Sequence, residues 1–428
     1  MPFETLVPPA DAVKVGGHST TLVAPGAAFA MVPAVLRVGL VGCGSFARFA
    51  AAAYRRLPGV SIEAVADVNP AAAERAAAEL DAAILAPEAV LTHPALDMVY
   101  IATPPACHFE QAAAAIAAGH HVLVEKPLAT TADEARELER RASERELACV
   151  ANLLERYCPL AETVRRLLAS RLLGDLVHGL FVNEAGDEGL GPEHWFWDRS
   201  VSGGIFVEHG VHFFDLVASW LGPGRVVTAT RSVRRPAVST RNGDAASGGG
   251  FEEQVLCTCR YPHNHALSLP GEPRHPQAGI LFHFEHGFHQ PGRLDRQEMR
   301  LVFERGEVRI FDWVPTHGTL RALVDDEATS ALTTLLPGAR LRTEERLAGG
   351  RRAVRGRFRE WQASAMVEID FAAGGDKMAV YTSAVGDLAA DQIAWIRDRT
   401  HERRLTEADS VAAVALACEA DRLAQASG

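Results

Sequence analysis

The stretch from Leu36 to Ala47 restricts this chain more than any other. An apolar run, Leu36–Val41, leads into Gly42-Cys43-Gly44-Ser45-Phe46-Ala47, and helical spacing starts at Ser45. A short apolar run closed by glycine is the pattern of a parallel strand covered on both faces. Each small position of the following G-x-G-x-x-A has a physical reason. The first glycine turns the chain tightly, the second lets the backbone approach a pyrophosphate, and the third small residue lets helix pack on strand. The helix start then offers unpaired N–H groups and a positive dipole end to phosphates. The motif alone is common, but between a strand and a helix it is a dinucleotide-binding fingerprint. Val60–Ala66 reads as a second strand ending at Asp67. A carboxylate there accepts from both ribose hydroxyls and repels a 2′-phosphate, so NAD is expected in preference to NADP. The competing reading is a glycine turn that serves packing only, with Asp67 capping the next helix.

The alternation continues through helix Pro70–Leu80, strand Met98–Ala102, helix Ala106–Ala118, strand His121–Val124, helix Thr131–Glu146 and strand Leu147–Ala151. Strands and helices of these lengths define an α/β fold, and predict a doubly wound parallel Rossmann domain over residues 35–155. Beyond it come a helix at Pro159–Leu173, a strand at Leu176–Asn183, an aromatic loop at Gly186–Ser202 and a helix at Gly203–Leu221. Longer alternating stretches follow at Gly279–His289, Glu298–Glu304 and Glu307–Trp313, with further strands over 314–375 and terminal helices at Met378–Arg397 and Glu407–Ala426. This is the pattern of an α+β domain over 156–428 with a large, mainly antiparallel open sheet. Residues 1–34 read as an extended or disordered arm, and 236–250 as a flexible loop.

Composition removes several classes. A net charge of -11 over 428 residues argues against a general nucleic-acid binder. No apolar run reaches the roughly 18 residues of a membrane span, and the first thirty residues lack a signal-peptide pattern. The seven cysteines are scattered with no CxxC pair, which predicts free thiols in a reducing cytoplasm. Of 43 basic residues only Lys14, Lys126 and Lys377 are lysines. Arginine therefore supplies ordinary positive charge here, and a lysine is informative because only lysine can be tuned to release its proton. Lys126 follows a strand in Glu125-Lys126-Pro127, at the sheet edge where open parallel sheets bind ligands.

A second signal lies on the expected helix 203–221. Glu208, His212, Asp215 and Ser219 share one face of an otherwise apolar helix, which must look onto a site or onto water. Glu208 and His212 are spaced to hydrogen-bond, which would orient the imidazole and raise its pKa. A metal set of Glu208, His209 and His212 lacks the H-E-x-x-H spacing, so no metal is expected. His283, Glu285 and His289 share a strand face by period two, as a polar sheet face, a cleft wall or a subunit interface.

Taken in order, Gly42–Ala47, Asp67, Thr103-Pro104 with His108, Glu125-Lys126-Pro127, Arg156-Tyr157-x-Pro159 and Gly203-Gly204-x5-Gly210-Val211-His212-x2-Asp215 resemble the Gfo/Idh/MocA oxidoreductases. The resemblance implies cofactor contacts from Gly42, Gly44, Ser45, Phe46, Ala47, Asp67, Thr103, Pro104, His108, Glu125 and Lys126. It implies catalysis by Lys126 and His212 with Glu208 behind them, and a homodimer or homotetramer joined through the open sheet face. Asn183, Trp195, Trp197, His209 and Asp215 are the expected substrate contacts. The expected reaction is hydride transfer between a nicotinamide and a hydroxyl-bearing carbon of a sugar, cyclitol or polyol. Two alternatives stand beside it: permanently bound NAD serving elimination or epimerisation without net redox, and a non-catalytic ligand-sensing regulator. The chain departs from the family pattern at Glu208, where aspartate is usual, and at Pro105, where asparagine is usual. It also departs within Trp195–Asp198, where an arginine is often found.

Overall fold

The computed structural model describes residues 35–187, 189–191, 193–234, 251–262, 278–291, 294–356 and 359–427. The expected arm at 1–34 and loop at 236–250 lie outside them. The first sheet is built from β1 (Leu36–Val41), β2 (Val60–Ala66), β3 (Ala83–Ile84), β4 (Met98–Ile101), β5 (His121–Val124) and β6 (Cys149–Ala151), all parallel, in the order β3-β2-β1-β4-β5-β6. Strand order reverses between β1 and β4, which opens a crevice at their carboxyl ends. Helices α1 (Ser45–Tyr54), α2 (Pro70–Leu80), α3 (Pro87–Leu91), α4 (His108–Ala117) and α5 (Ala132–Ser143) are the crossovers. Alanine-rich inner faces, such as Ala47, Ala50 and Ala51 on α1, let these helices sit close to the strands.

The second sheet follows α6 (Pro159–Ser170). It contains β7 (Leu176–Glu184), then, after α7 (Arg199–Ser202) and α8 (Val211–Leu221), β8 (Arg225–Arg234), β9 (Phe251–Tyr261), β10 (Ile280–Gly287), β11 (Arg296–Phe303), β12 (Gly306–Phe311) and β13 (His317–Val324). Beyond α9 (Asp326–Leu335) come β14 (Arg340–Arg346), a small hairpin of β15 (Arg352–Arg355) and β16 (Glu360–Ala363), and β17 (Ala365–Ala372). Among the described residues the nine strands run β14-β17-β13-β12-β11-β7-β10-β9-β8, and only β7 and β10 pair in parallel. The expected fold class is therefore the observed one. The region 314–375 departs in one respect: α9 was read as strand, and Asp325 caps it through the Ala328 N–H.

Period two divides the faces of this sheet. Phe181, Phe282, Phe284 and His286 are buried under α8, whereas Leu180, Thr258, His283 and Glu285 lie on the open face. Two terminal helices, α10 (Lys377–Arg397) and α11 (Glu407–Ala426), tie the sheets together. Edge strand β6 would present bare N–H groups, but Glu407 accepts from the Cys149 N–H at 3.1 Å and Ser410 from the Ala151 N–H at 3.1 Å. No helix among the described residues is long and apolar enough to cross a membrane.

The expected helix 203–221 is not one element. Gly203 and Gly204 both take positive φ, 84° and 93°, which breaks the chain away from α7. Phe206–Gly210 then forms one π-type turn before α8 begins. That wider turn changes the angular register between Glu208 and His212.

Candidate active site

The β1–α1 turn is shaped for a dinucleotide. Gly42 has φ +91°, and a Cβ there would stand 2.4 Å from the Ala102 carbonyl, so glycine is obligatory. At Gly44 a Cβ would meet nothing within 4 Å: the space beyond this backbone is open. Among the described residues no side chain caps α1, which leaves its first N–H groups to meet an anion. The Asp67 carboxylate accepts from the Cys43 N–H at 2.7 Å and the Asn69 N–H at 2.7 Å, which fixes it beside the turn. An open glycine cradle, an uncapped helix start and a fixed carboxylate fit a nicotinamide dinucleotide.

On the neighbouring strands the turns are braced from beneath. The Thr103 hydroxyl donates to Gln111 at 2.6 Å, and Pro104 starts the turn that carries Pro105–Cys107. The His108 ring lies between the Thr103 carbonyl, 2.8 Å away, and the Pro127 carbonyl, 2.7 Å away. It thereby locks the ends of β4 and β5 to each other. Glu125 accepts from Tyr100 at 2.5 Å and from Asn152 at 2.7 Å. His108 and Glu125, both expected as cofactor contacts, brace the carboxyl ends of β4, β5 and β6.

Lys126 crosses to the second domain. Its ammonium donates to the Glu208 backbone carbonyl at 3.0 Å and forms an ion pair with the Glu208 carboxylate. The expected Glu208–His212 hydrogen bond is therefore replaced. Among the described residues, Glu208 Oε2 and His212 Nδ1 are each buried without a partner. The expectation of a raised imidazole pKa is also overturned. Burial, and then the Lys126 ammonium, hold His212 well below the ordinary histidine range. The imidazole packs edge-on against Trp313, with ring centres 5.5 Å apart. Trp313 in turn packs on Tyr381 of α10, which meets Phe46 and Phe49 of α1 at 5.8 and 5.2 Å. One aromatic chain thus joins the fingerprint helix to His212.

Of the polar stripe on this segment, only Ser219 is exposed to water. Glu208, His212 and Asp215 are all buried. Asp215 was expected to contact substrate. Instead Arg156 grips it with a two-pronged ion pair, donating from Nε to Asp215 Oδ2 at 2.8 Å. Arg156 also reaches Asp409 of α11 at 3.5 Å, so this pair holds the domain together. Ser219 turns back onto the Leu216 carbonyl at 2.6 Å.

The other substrate candidates cluster at the end of the second sheet. Asn183 is buried, donating to the Gly287 carbonyl at 3.3 Å. His209 Nδ1 lies 3.0 Å from His286 Nδ1. Trp195 and Trp197 flank Phe196 in a short helical turn that is half-buried. Phe196 and Trp197 pack on Phe288, which also meets the His209 ring at 5.2 Å. Among the described residues no group of acidic, histidine and cysteine side chains is arranged to hold a metal.

Sequence reasoning missed Trp313, Tyr381 and His286. Trp313 and Tyr381 carry no local signal. His286 did, because period two sets it on the face opposite His283 and Glu285.

This fold and site define a dinucleotide-binding class of protein, with the glycine turn and Lys126 at the carboxyl edge of the Rossmann sheet. The family model "Oxidoreductase family, NAD-binding Rossmann fold" matches residues 36–153, and the GFO/IDH/MocA C-terminal domain matches 161–309. The chain belongs to the Gfo/Idh/MocA oxidoreductase family. It is 38% identical over 143 residues to dTDP-3,4-didehydro-2,6-dideoxy-alpha-D-glucose 3-reductase of Saccharopolyspora spinosa, covering 33% of this chain and 43% of that one. It is 25% identical over 239 residues to D-xylose 1-dehydrogenase (NADP(+)) of Hypocrea jecorina, covering 54% and 56%. The chain thus spans about half the length of the curated relatives it matches. Levoglucosan dehydrogenase in complex with NADH shares the fold, with a TM-score of 0.69 at 17% identity over 91% of this chain and 97% of that one.

Proposed function

We propose that this chain is an NAD-dependent dehydrogenase or reductase acting on a hydroxyl-bearing carbon of a sugar, cyclitol or related polyol. The observation that carries this reading is the meeting of Lys126, from the Rossmann sheet edge, with Glu208 on the segment that leads directly into His212. Gly42, Gly44 and the start of α1 would hold the pyrophosphate, and Asp67 the adenosine ribose, which supports NAD in preference to NADP. When bound, the nicotinamide dinucleotide supplies the two-electron acceptor or donor.

The chain's own residues do the rest. Lys126 stabilises negative charge on the substrate oxygen as the hydroxyl loses its proton. His212, kept neutral by burial and by that ammonium, takes the proton in oxidation and returns it in reduction. Glu208 fixes the ammonium from behind. Trp195 and Trp197 cover the cleft, exclude water and offer ring faces to a sugar or cyclitol. The named activities of the relatives agree with a sugar substrate. The seven unpaired cysteines support a reducing, cytoplasmic setting, and the uncovered sheet face supports a homodimer or homotetramer.

The test is a panel of sugars, cyclitols and polyols with NAD and NADP, followed by absorbance of the reduced nicotinamide. Turnover of at least one member, faster with NAD, is expected. Tight NAD binding with no absorbance change and no exchange of labelled hydride would overturn the reading in favour of a sensor. Purified protein that carries NAD and converts substrate without net reduction would move it to internal, redox-neutral chemistry.

A further inference from the structure

His209 and His286 form a buried pair that the hydride-transfer scheme does not use. Their Nδ1 atoms are 3.0 Å apart, a hydrogen bond that needs one proton between two ring nitrogens. His286 projects from β10 into a cage of Phe181, Phe206, Phe213, Phe214 and Phe284, with ring centres 5.4 to 6.5 Å away. Its Nε2 is buried with no partner, against Gly210. Beside it in register on β7, Asn183 Oδ1 is also buried with no partner. His209 has the other side of the pair. It lies under Phe288 and the aromatic loop, one residue from Glu208 and three from His212.

Two arrangements satisfy the shared proton. If His209 Nδ1–H donates, His286 carries a second N–H, on Nε2, sealed in the phenylalanine cage without an acceptor. If His286 Nδ1–H donates, its Nε2 is a bare lone pair. A buried N–H without an acceptor is the rarer and costlier fault. Burial keeps the pair uncharged, with His286 pushed down to about 3 and His209 held well below the ordinary range.

We propose that His286 is a positioning residue: it donates from Nδ1 to His209 Nδ1, and so locks His209 in the tautomer that turns a neutral Nε2–H toward the cleft, as a donor to an uncharged substrate oxygen. The substrate half of this rests on the dehydrogenase reading above; the tautomer lock does not. A cleft with Lys126 as its cation and His209 as a neutral donor selects hydroxyl or carbonyl oxygens at the second position.

The deciding experiment is long-range proton–nitrogen correlation NMR on the whole protein with nitrogen-labelled histidine, in the absence of ligand. The variants His209→Gln and His286→Gln assign the signals. Pyrrole-like Nδ1 on His286 and pyridine-like Nδ1 on His209 are expected; the reverse pattern overturns the proposal. In His286→Phe, His209 should lose its single-tautomer signature. With whichever substrate the panel finds, KM should rise roughly tenfold with kcat nearly unchanged, and His286→Asn should restore part of it. An unchanged KM in a folded His286→Phe variant overturns the donor role. If the panel finds no substrate, the wild-type spectrum still decides the lock, so failure of the reaction and failure of the pair are told apart.

Discussion

At the scale of single residues, the proposed chemistry rests on the ion pair between Lys126 and Glu208. An ammonium placed at a developing oxyanion contributes to the transition state far more than to cofactor binding. Lys126→Met is therefore expected to lower kcat by about 10²–10⁴ while the Kd for NAD stays within a few-fold, read by steady-state kinetics beside a fluorescence titration. Loss of NAD affinity in step with kcat would remove the lysine from the reacting centre. Glu208 reaches the ammonium with one carboxylate oxygen and leaves Oε2 in a buried position with no partner among the described residues. His212 illustrates how neighbours set a protonation state. The same imidazole beside a carboxylate would hold a proton more tightly; beside an ammonium and out of water it stays ready to accept one.

At the scale of elements, two turns make testable statements. In the β1–α1 turn the two glycines have different duties. Gly42→Ala collides with the Ala102 carbonyl at an unfavourable φ and should destabilise the fold. Gly44 has φ -58° and open space around its Cβ position, so Gly44→Ala should leave the melting temperature nearly unchanged and weaken NAD binding at least tenfold. Equal NAD affinity in that variant would place the pyrophosphate elsewhere. In the turn after β6, Glu155 is buried, with Oε1 unpartnered and only the Cys158 thiol donating to its other oxygen at 3.7 Å. Burial pushes it up to about 8, against a smaller opposing pull from Cys158 and Lys377. Between the ordinary carboxylate value and about 8 the native state then holds a proton that the unfolded chain has lost, so stability falls as pH rises through that window. Glu155→Gln should raise the melting temperature more above that raised value than below the ordinary one, and a pH-independent difference would contradict this.

At the scale of the whole molecule, three histidines, His209, His212 and His286, are buried and held neutral in one region between the sheets. Each has a folded pKa below its unfolded value near 6.5, so the unfolded chain binds more protons once pH drops below that value. Their joint contribution is complete above about 6.5 and is lost progressively as pH falls. Thermal melts across this range should show steep acid destabilisation, and His286→Phe should flatten the slope. An unchanged slope would mean that the region opens to solvent without unfolding. The molecule is also held together at long range. The buried Arg156–Asp215 pair and the caps from α11 onto β6 join segments distant in sequence, and removing one partner of such a pair costs about 3–5 kcal/mol.

The linear chain by itself determined the parallel Rossmann sheet, the glycine cradle, Asp67 and the candidacy of Lys126, because each rests on a local property: strand periodicity, φ freedom at glycine, and a lysine where arginine is the rule. It also divided the faces of the second sheet, since alternation is local. Only the tertiary structure decided which charges meet. A one-residue widening at Phe206–Gly210 turned Glu208 away from His212 and onto Lys126, and packing gave Asp215 to Arg156, Trp313 to His212 and His286 to His209. These pairings depend on distances between segments far apart in the chain, and burial, which sets the protonation of every histidine in the cleft, is a property of the folded volume and of no single stretch of sequence.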